Sequence, residues 1–249
     1  MRTYLRLPHN SPTMKLYRNL GTGAFRDMSR ETGLNKVFMP MGANFGDVDN
    51  DGYPDIYFGT GELTFASVLP NVLLHNKAGK SFVDITASSG TGELHKGHGV
   101  AFADMDNDGD EELLETIGGG VPGDRHAFRF FENPGHGNDW ISVRLVGVKA
   151  NRAAIGARVK VSAKNGTETR TVYRTVGSGG SFGASPLEQH LGLGKSAEIV
   201  GLEIQWPGDA QPQRLASVPK NKAIEIKQGA SEYRLIERPR FKLGAKNAR

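Results

Sequence analysis

Residues 47–55 read Asp47-Val48-Asp49-Asn50-Asp51-Gly52-Tyr53-Pro54-Asp55, and their spacing is that of an oxygen cage for a hard cation. Carboxylates at loop positions 1, 3, 5 and 9, with a backbone carbonyl at position 7, can surround one ion at about 2.3–2.6 Å. Gly52, in the sixth place, supplies the sharp turn that lets the two ends of the loop converge. Left empty, such a loop should be loose, because its carboxylates repel one another. The pattern recurs at Asp104-Met105-Asp106-Asn107-Asp108-Gly109-Asp110-Glu111-Glu112, with Glu112 in the ninth place. A solvated acidic turn would account for one such stretch. Two copies point to Ca2+, one ion per loop.

The two loops belong to an internal repeat. Asp47 and Asp104 are 57 residues apart, as are Phe45 and Phe102, Gly42 and Gly99, Phe25 and Phe82, Asp27 and Asp84, and Gly33 and Gly90. Asn19, Asn76 and Asn133 carry the same period through three points, each closing a short apolar strand. So many coincidences in one register mean a repeated supersecondary unit. Strands are expected on both sides of each loop: Gly42–Gly46 and Asp55–Gly59 around the first, Gly97–Ala103 and Leu113–Ile117 around the second. The second loop also fits EF-hand spacing, with Glu115 in the twelfth place. An EF-hand needs flanking helices, however. Gly97, Gly99 and Gly118-Gly119-Gly120 each cost roughly 1 kcal/mol in a helix, and the twelfth place of the first loop is Phe58.

The segments NFGDVDNDGYPDIYFG (44–59) and AFADMDNDGDEELLE (101–115) resemble FG-GAP/VCBS repeats, the calcium-loop blades of integrin-type β-propellers. The resemblance implies Asp47, Asp49, Asp51 and Asp55 as side-chain ligands of the first ion, with Tyr53 giving its carbonyl. It likewise implies Asp104, Asp106, Asp108 and Glu112 for the second, with the carbonyl of Asp110. Glu112 is one methylene longer than the usual Asp, so the second site is expected to be weaker or differently bound. Residues 1–137 hold about two and a half units, whereas a closed propeller typically has about four to eight blades. The strand at Leu16–Asn19 falls where a preceding repeat should end. The chain is therefore expected to start inside a blade and to be a C-terminal portion of a longer protein, with upstream sequence supplying the missing blades and any signal peptide.

After the turn at Asn133–Gly137, alternation of Trp140, Ser142 and Arg144 with Ile141, Val143 and Leu145 predicts a two-faced strand. Gly156–Ala163 and Glu168–Val176 are joined by Asn165-Gly166, a strong hairpin signal. Glu198–Trp206 and Lys222–Lys227 complete an expected β-sandwich over residues 138–229. The runs NDWISVRLVGVKANRAAIGARVKV (138–161) and LEQHLGLGKSAEIVGLEIQWPG (187–208) resemble the ASPIC/UnbV domain. In cartilage-acidic-protein-like secreted proteins that domain follows FG-GAP/VCBS repeats, as here. Leu191 replaces the family's usual Phe, and the Gly177–Ser185 turn lacks the expected Tyr and Gln. The tail, 230–249, is basic and expected to be mobile. The fold class is thus all-β: a partial β-propeller followed by a β-sandwich-like domain.

The net charge of +4 divides unevenly, with 12 basic and 18 acidic side chains in residues 1–137 against 19 and 9 in the remainder. The basic residues lie along strands and the tail without interleaved aromatics, which argues against nucleic acid. No stretch approaches a membrane span, and no cysteine is present. Gly179-Gly180-Ser181-Phe182-Gly183 matches a nucleophile elbow, but Pro186 and Gly192 spoil the helix that must follow. Gly118–Gly123 fits G-x-G-x-x-G, yet leads into a strand rather than a helix. His95-x-x-His98 lacks a third ligand at suitable spacing, and Asn165-Gly166-Thr167 is a formal glycosylation acceptor already explained by its hairpin. These features predict a non-enzymatic, calcium-stabilised adhesion or ligand-binding protein of the extracellular or cell-envelope type, with a protein or carbohydrate partner. The rival readings are a calcium-dependent glycan hydrolase or lyase, and a scaffold with no ligand of its own. The cages are expected to be exposed, and the 138–229 unit indifferent to the ion.

Overall fold

The computed structural model describes residues 10–61, 69–120, 122–196 and 198–243. The first nine residues of the repeat unit, Val121 of the glycine run and residues 244–249 of the tail lie outside the described residues. The acidic loops connect strands, as the glycines around them require. β1 (Tyr17–Asn19) and β2 (Phe25–Asp27) form a hairpin. β3 (Pro40–Gly46), β4 (Asp55–Thr60), β5 (Val72–Lys77) and β6 (Ser81–Asp84) make a four-stranded antiparallel sheet in chain order. A single turn of helix, α1 (Thr86–Ser89), leads to the three-stranded sheet of β7 (Gly97–Ala103), β8 (Glu112–Ile117) and β9 (Ala127–Phe131). The first loop joins β3 to β4 and the second joins β7 to β8, so the EF-hand alternative is excluded.

The two sheets repeat one another residue by residue. Phe45 pairs with Ile56 and Tyr57 with Leu73 in the first; Phe102 pairs with Leu113 and Leu114 with Phe130 in the second. Tyr57 and Leu73 pack against Val100, Phe102 and Leu113, making one buried cluster between the blades. The approach is close because Gly46 has no side chain: a Cβ there would stand 2.2 Å from the Phe102 ring. Residues 14–38 cover part of the opposite face, where Leu34 closes over Ile56, Phe58 and Leu74. The arrangement is all-β and propeller-like, built from small sheets side by side.

The second half is two sheets around one core. β10 (Asp139–Val146), β13 (Gln189–Gly194), β16 (Ala223–Lys227) and β17 (Arg234–Leu235) form one, in the order β13-β10-β16-β17. β11 (Arg158–Asn165), β12 (Glu168–Thr175), β14 (Glu198–Gln205) and β15 (Gln213–Leu215) form the other, in the order β12-β11-β14-β15. Ile141, Val143, Leu191, Ile224 and Ile226 from one sheet meet Val159, Val161, Leu202 and Ile204 from the other, with Trp206 buried among them. The β11–β12 hairpin turns at Asn165-Gly166 as its sequence predicts. The pairing of β10 with β16 is parallel, a long-range contact that local patterning does not reveal. The tail departs from expectation. β17 pairs with β16, and beyond it Phe241 donates its backbone N–H to the Asp106 carbonyl at 3.1 Å. Residues 230–243 fold back onto the protein because these backbone groups find partners there.

Candidate metal centres

Each acidic loop is wired internally by the same hydrogen bonds. The Gly52 N–H donates to Asp47 Oδ2 at 2.9 Å, and Gly109 to Asp104 Oδ2 at 3.2 Å. Asp51 and Tyr53 donate their N–H groups to Asp49 Oδ1 and Asp51 Oδ1, as Asp108 and Asp110 do to Asp106 and Asp108. The ninth residue closes the loop: Val48 N–H to Asp55 Oδ2 at 3.0 Å, and Met105 N–H to Glu112 Oε2 at 2.7 Å. Glu112 thus reaches the position of Asp55 despite its extra methylene. Asn50 and Asn107, with φ of 55° and 64°, take the left-handed turn that asparagine tolerates.

Asp47, Asp49 and Asp51 bring one oxygen each within 4.8 Å of the others, and Asp104, Asp106 and Asp108 do the same. The first residue of both loops keeps a buried oxygen with no hydrogen-bond partner, Asp47 Oδ1 and Asp104 Oδ1. A buried carboxylate oxygen left unpaired is costly. An oxygen-only donor set with one such atom per loop fits a hard divalent cation.

Sequence reasoning missed how the first loop is enclosed. Asp47, Asn50 and Asp55 are fully buried, so this cage is not an exposed one. Arg174 on β12 approaches Asp47 Oδ2 at 3.3 Å, and Arg170 lies 4.0 Å above the Tyr53 ring. His190 on β13 contacts Asn50 Oδ1 at 2.6 Å through Nε2, and Gly194 donates its N–H to the Asn50 carbonyl. Asn138 donates to the Asp49 carbonyl. The second loop is held from the same side. Gly109, with φ of 97°, has no room for a side chain because a Cβ would stand 2.0 Å from the Trp140 ring. Arg240 donates to the Asp108 carbonyl and Asn107 to that of Pro239. Both loops therefore form the seam between the halves. These partners lie up to 140 residues away, beyond any local pattern.

His75 braces two carboxylates of the first loop: its Nδ1 is 2.9 Å from Asp55 Oδ1 and its Nε2 is 3.7 Å from Asp49 Oδ2. One repeat later stands the exposed Glu132. The repeated asparagines have a definable task. Asn76 Nδ2 holds the Pro54 carbonyl and Asn133 Nδ2 that of Glu111, tying the third strand of each blade to its loop.

Without an ion, burial and the repulsion of neighbouring carboxylates raise Asp47, Asp51, Asp104, Asp106, Asp110 and Glu112. Burial pushes Asp47 up to about 7, offset in part by Arg174, and Asp104 up to about 6. Glu111 and Glu112 are also pushed up to about 7 by burial. A carboxylate whose folded pKa is raised gives stability that is complete below its unfolded value and lost as pH rises through the folded one. His75, raised by its bond to Asp55, acts in the same sense. His190, lowered by burial to about 3, acts oppositely but only below its unfolded value, about 6.5. The four raised carboxylates outweigh that one histidine, so the ion-free protein is expected to lose stability from about pH 4.5 to 7 while calcium affinity rises. Melts in chelator across that window check this; a rising melting temperature would contradict it.

The other motifs take bland roles. Ser181 lies in a turn closed by a Gly180–Gly183 bridge, and residues 184–188 form no helix. This loop pairs with the edge of β7: Val100 donates its N–H to the Phe182 carbonyl, and Ala184 to that of Val100. The 118–123 run continues toward β9 with no helix among its described residues. His95 approaches Asp124, while His98 lies against the Phe182 ring. Among the described residues, no helix is long and apolar enough to cross a membrane.

Fold and loops together define a blade-repeat protein whose acidic hairpins are clamped by a β-sandwich. Residues 6–58 match the family model for the FG-GAP-like repeat, which ends just beyond the first loop, and residues 147–233 match the model described as ASPIC and UnbV. The chain is similar to cartilage acidic protein 1 of Mus musculus and of Homo sapiens, each 33% identical over 95 residues. The Xenopus tropicalis protein of that name is 32% identical over 99 residues. The stretch covers 38% of this chain for the first two and 39% for the third, and 14% of each relative's length.

Proposed function

We propose that this chain is a calcium-binding, non-catalytic adhesion or ligand-binding protein of the extracellular or cell-envelope type. The observation that carries the reading is the matched pair of unpartnered buried oxygens, Asp47 Oδ1 and Asp104 Oδ1, at the first place of two identically wired loops. Asp47, Asp49, Asp51, Asp55 and the Tyr53 carbonyl would hold one ion. Asp104, Asp106, Asp108, Glu112 and the Asp110 carbonyl would hold the other. A bound cation supplies the positive charge that lets these carboxylates stay ionised in a buried seam. Its role is to brace the blade hairpins and their contact with the sandwich. The cartilage in the relatives' names supports an extracellular setting. The partner is a protein or a carbohydrate, bound through the variable loops of the blades.

Titration calorimetry is expected to show two calcium ions per chain, with dissociation constants on the order of 0.1–1 mM, as in extracellular modules. Asp49→Ala should remove one and Asp106→Ala the other. A folded sample that binds none at several times these concentrations would sink the assignment.

A further inference from the structure

The two acidic loops are wired alike, but their surroundings carry different charge. On β12 the order Arg170-Thr171-Val172-Tyr173-Arg174 puts both arginines on the face by which Val172 enters the sandwich core. That face also meets the first loop. Arg174, its side chain only 18% exposed, reaches the fully buried Asp47 at Oδ2. Arg170 lies over the Tyr53 ring, its positive charge acts on Asp51, and its Nη2 is buried with no hydrogen-bond partner. Gly52 and Arg174 both hold Asp47 Oδ2, which leaves Oδ1 open. Guanidinium and calcium can therefore occupy opposite oxygens of one carboxylate.

The repeat supplies its own control. Asp104 Oδ2 accepts the Gly109 N–H as Asp47 Oδ2 accepts that of Gly52. Among the described residues, however, no ion pair reaches Asp104, and Arg238 acts on it only from a distance while paired with Glu188. Arg240 touches the second loop at the Asp108 carbonyl, in an exposed position where solvent and salt screen its charge.

We propose that Arg174, with Arg170 beside it, is a built-in counter-ion that stands in for calcium at the first loop and thereby lowers calcium affinity there. The inference rests on the calcium reading of the loops. Attraction between guanidinium and carboxylates is present whether the loop is empty or filled, whereas repulsion between guanidinium and ion exists only in the filled one. A group that favours the empty state over the filled one weakens binding by the same factor. Being buried, this charge is screened less than that of Arg240.

Calorimetry on the full chain tests this in variants that keep one loop. With the second loop disabled by Asp106→Ala, Arg174→Gln is expected to tighten calcium binding roughly tenfold, a coupling of ordinary size. Arg174→Lys keeps the charge and should stay close to the parent. With the first loop disabled by Asp49→Ala, Arg174→Gln should leave the second site unchanged. Arg174→Gln should also lower the melting temperature more in chelator than in saturating calcium. An arginine with a purely structural task predicts the opposite sign, weaker binding in the glutamine variant; that result, or no change, would overturn the proposal. If Arg174→Gln does not fold, Arg170→Gln carries the same test: tighter binding supports the counter-ion, and unchanged or weaker binding overturns it. A parent that binds two ions while these variants alter nothing refutes the counter-ion alone. A parent that binds none refutes the calcium reading and the counter-ion with it.

Discussion

Chelation of calcium is expected to lower a melting transition in which both halves of the chain take part. An ion that binds only the folded protein adds roughly 2.7 kcal/mol per site at about 100 times its dissociation constant. For a chain of this size about 1 kcal/mol moves the midpoint by roughly 2–4 °C. Two filled sites should therefore raise it by about 10–20 °C. The sandwich owns no cage, which from sequence argued that it would be indifferent. The seam changes that expectation: Arg174, His190, Asn138 and Trp140 of the second half all touch the loops. Loosening the loops removes partners from β10, β12 and β13. The two tryptophans make the test direct, since Trp140 lies against the second loop and Trp206 in the sandwich core. In a Trp140→Phe variant the remaining fluorescence reports the core. If that signal melts at one temperature with and without chelator while the blade signal moves, the coupling is refuted.

Asn50→Ala should be the most damaging single substitution at the seam, at roughly 3–5 kcal/mol. Its side-chain amide donates to the Gly109 carbonyl and Asp110 Oδ1 in the second loop, and its Oδ1 meets His190 Nε2. Losing it leaves three groups unpaired, two in the second loop and one on β13, at about 1–3 kcal/mol for each one not rescued by water. Alanine must also adopt the left-handed backbone at φ 55° without asparagine's tolerance for it. Because Asn50 joins both loops, the variant should weaken both ion sites together, although it is itself outside the proposed ligand set. Calorimetry decides: loss of one site alone would mean that the loops are energetically separate.

The blades were legible because their information is local and repeated. Asp-x-Asp-x-Asp-Gly dictates the hairpin, and the 57-residue register duplicates the strands on either side of it. The sandwich hairpin at Asn165-Gly166 was legible for the same reason. The enclosure of the first cage was not, since Arg174 meets Asp47 across 127 residues and nothing near either residue announces the other. The tail misled for a different reason. Its composition is that of a solvated end, and what orders it is backbone pairing with β16 and with the second loop, to which composition is blind. His75 lay in view, one place before a repeated asparagine. Its role emerges only when β5 is laid beside β4.

The contact between Phe241 and Asp106 also sets an order of events during synthesis. Carbonyls of the second loop emerge from the ribosome well before the groups at 239–241 that bond them. At about 5–20 residues per second, the 135 residues between Asp106 and Phe241 take roughly 7–27 seconds to appear. β16, the parallel neighbour of β10, is likewise a late arrival. The nascent blades must therefore wait, with the second loop open to solvent, until β16 and residues 239–241 have been translated. Completion of the seam is paced by the synthesis of residues 223–241.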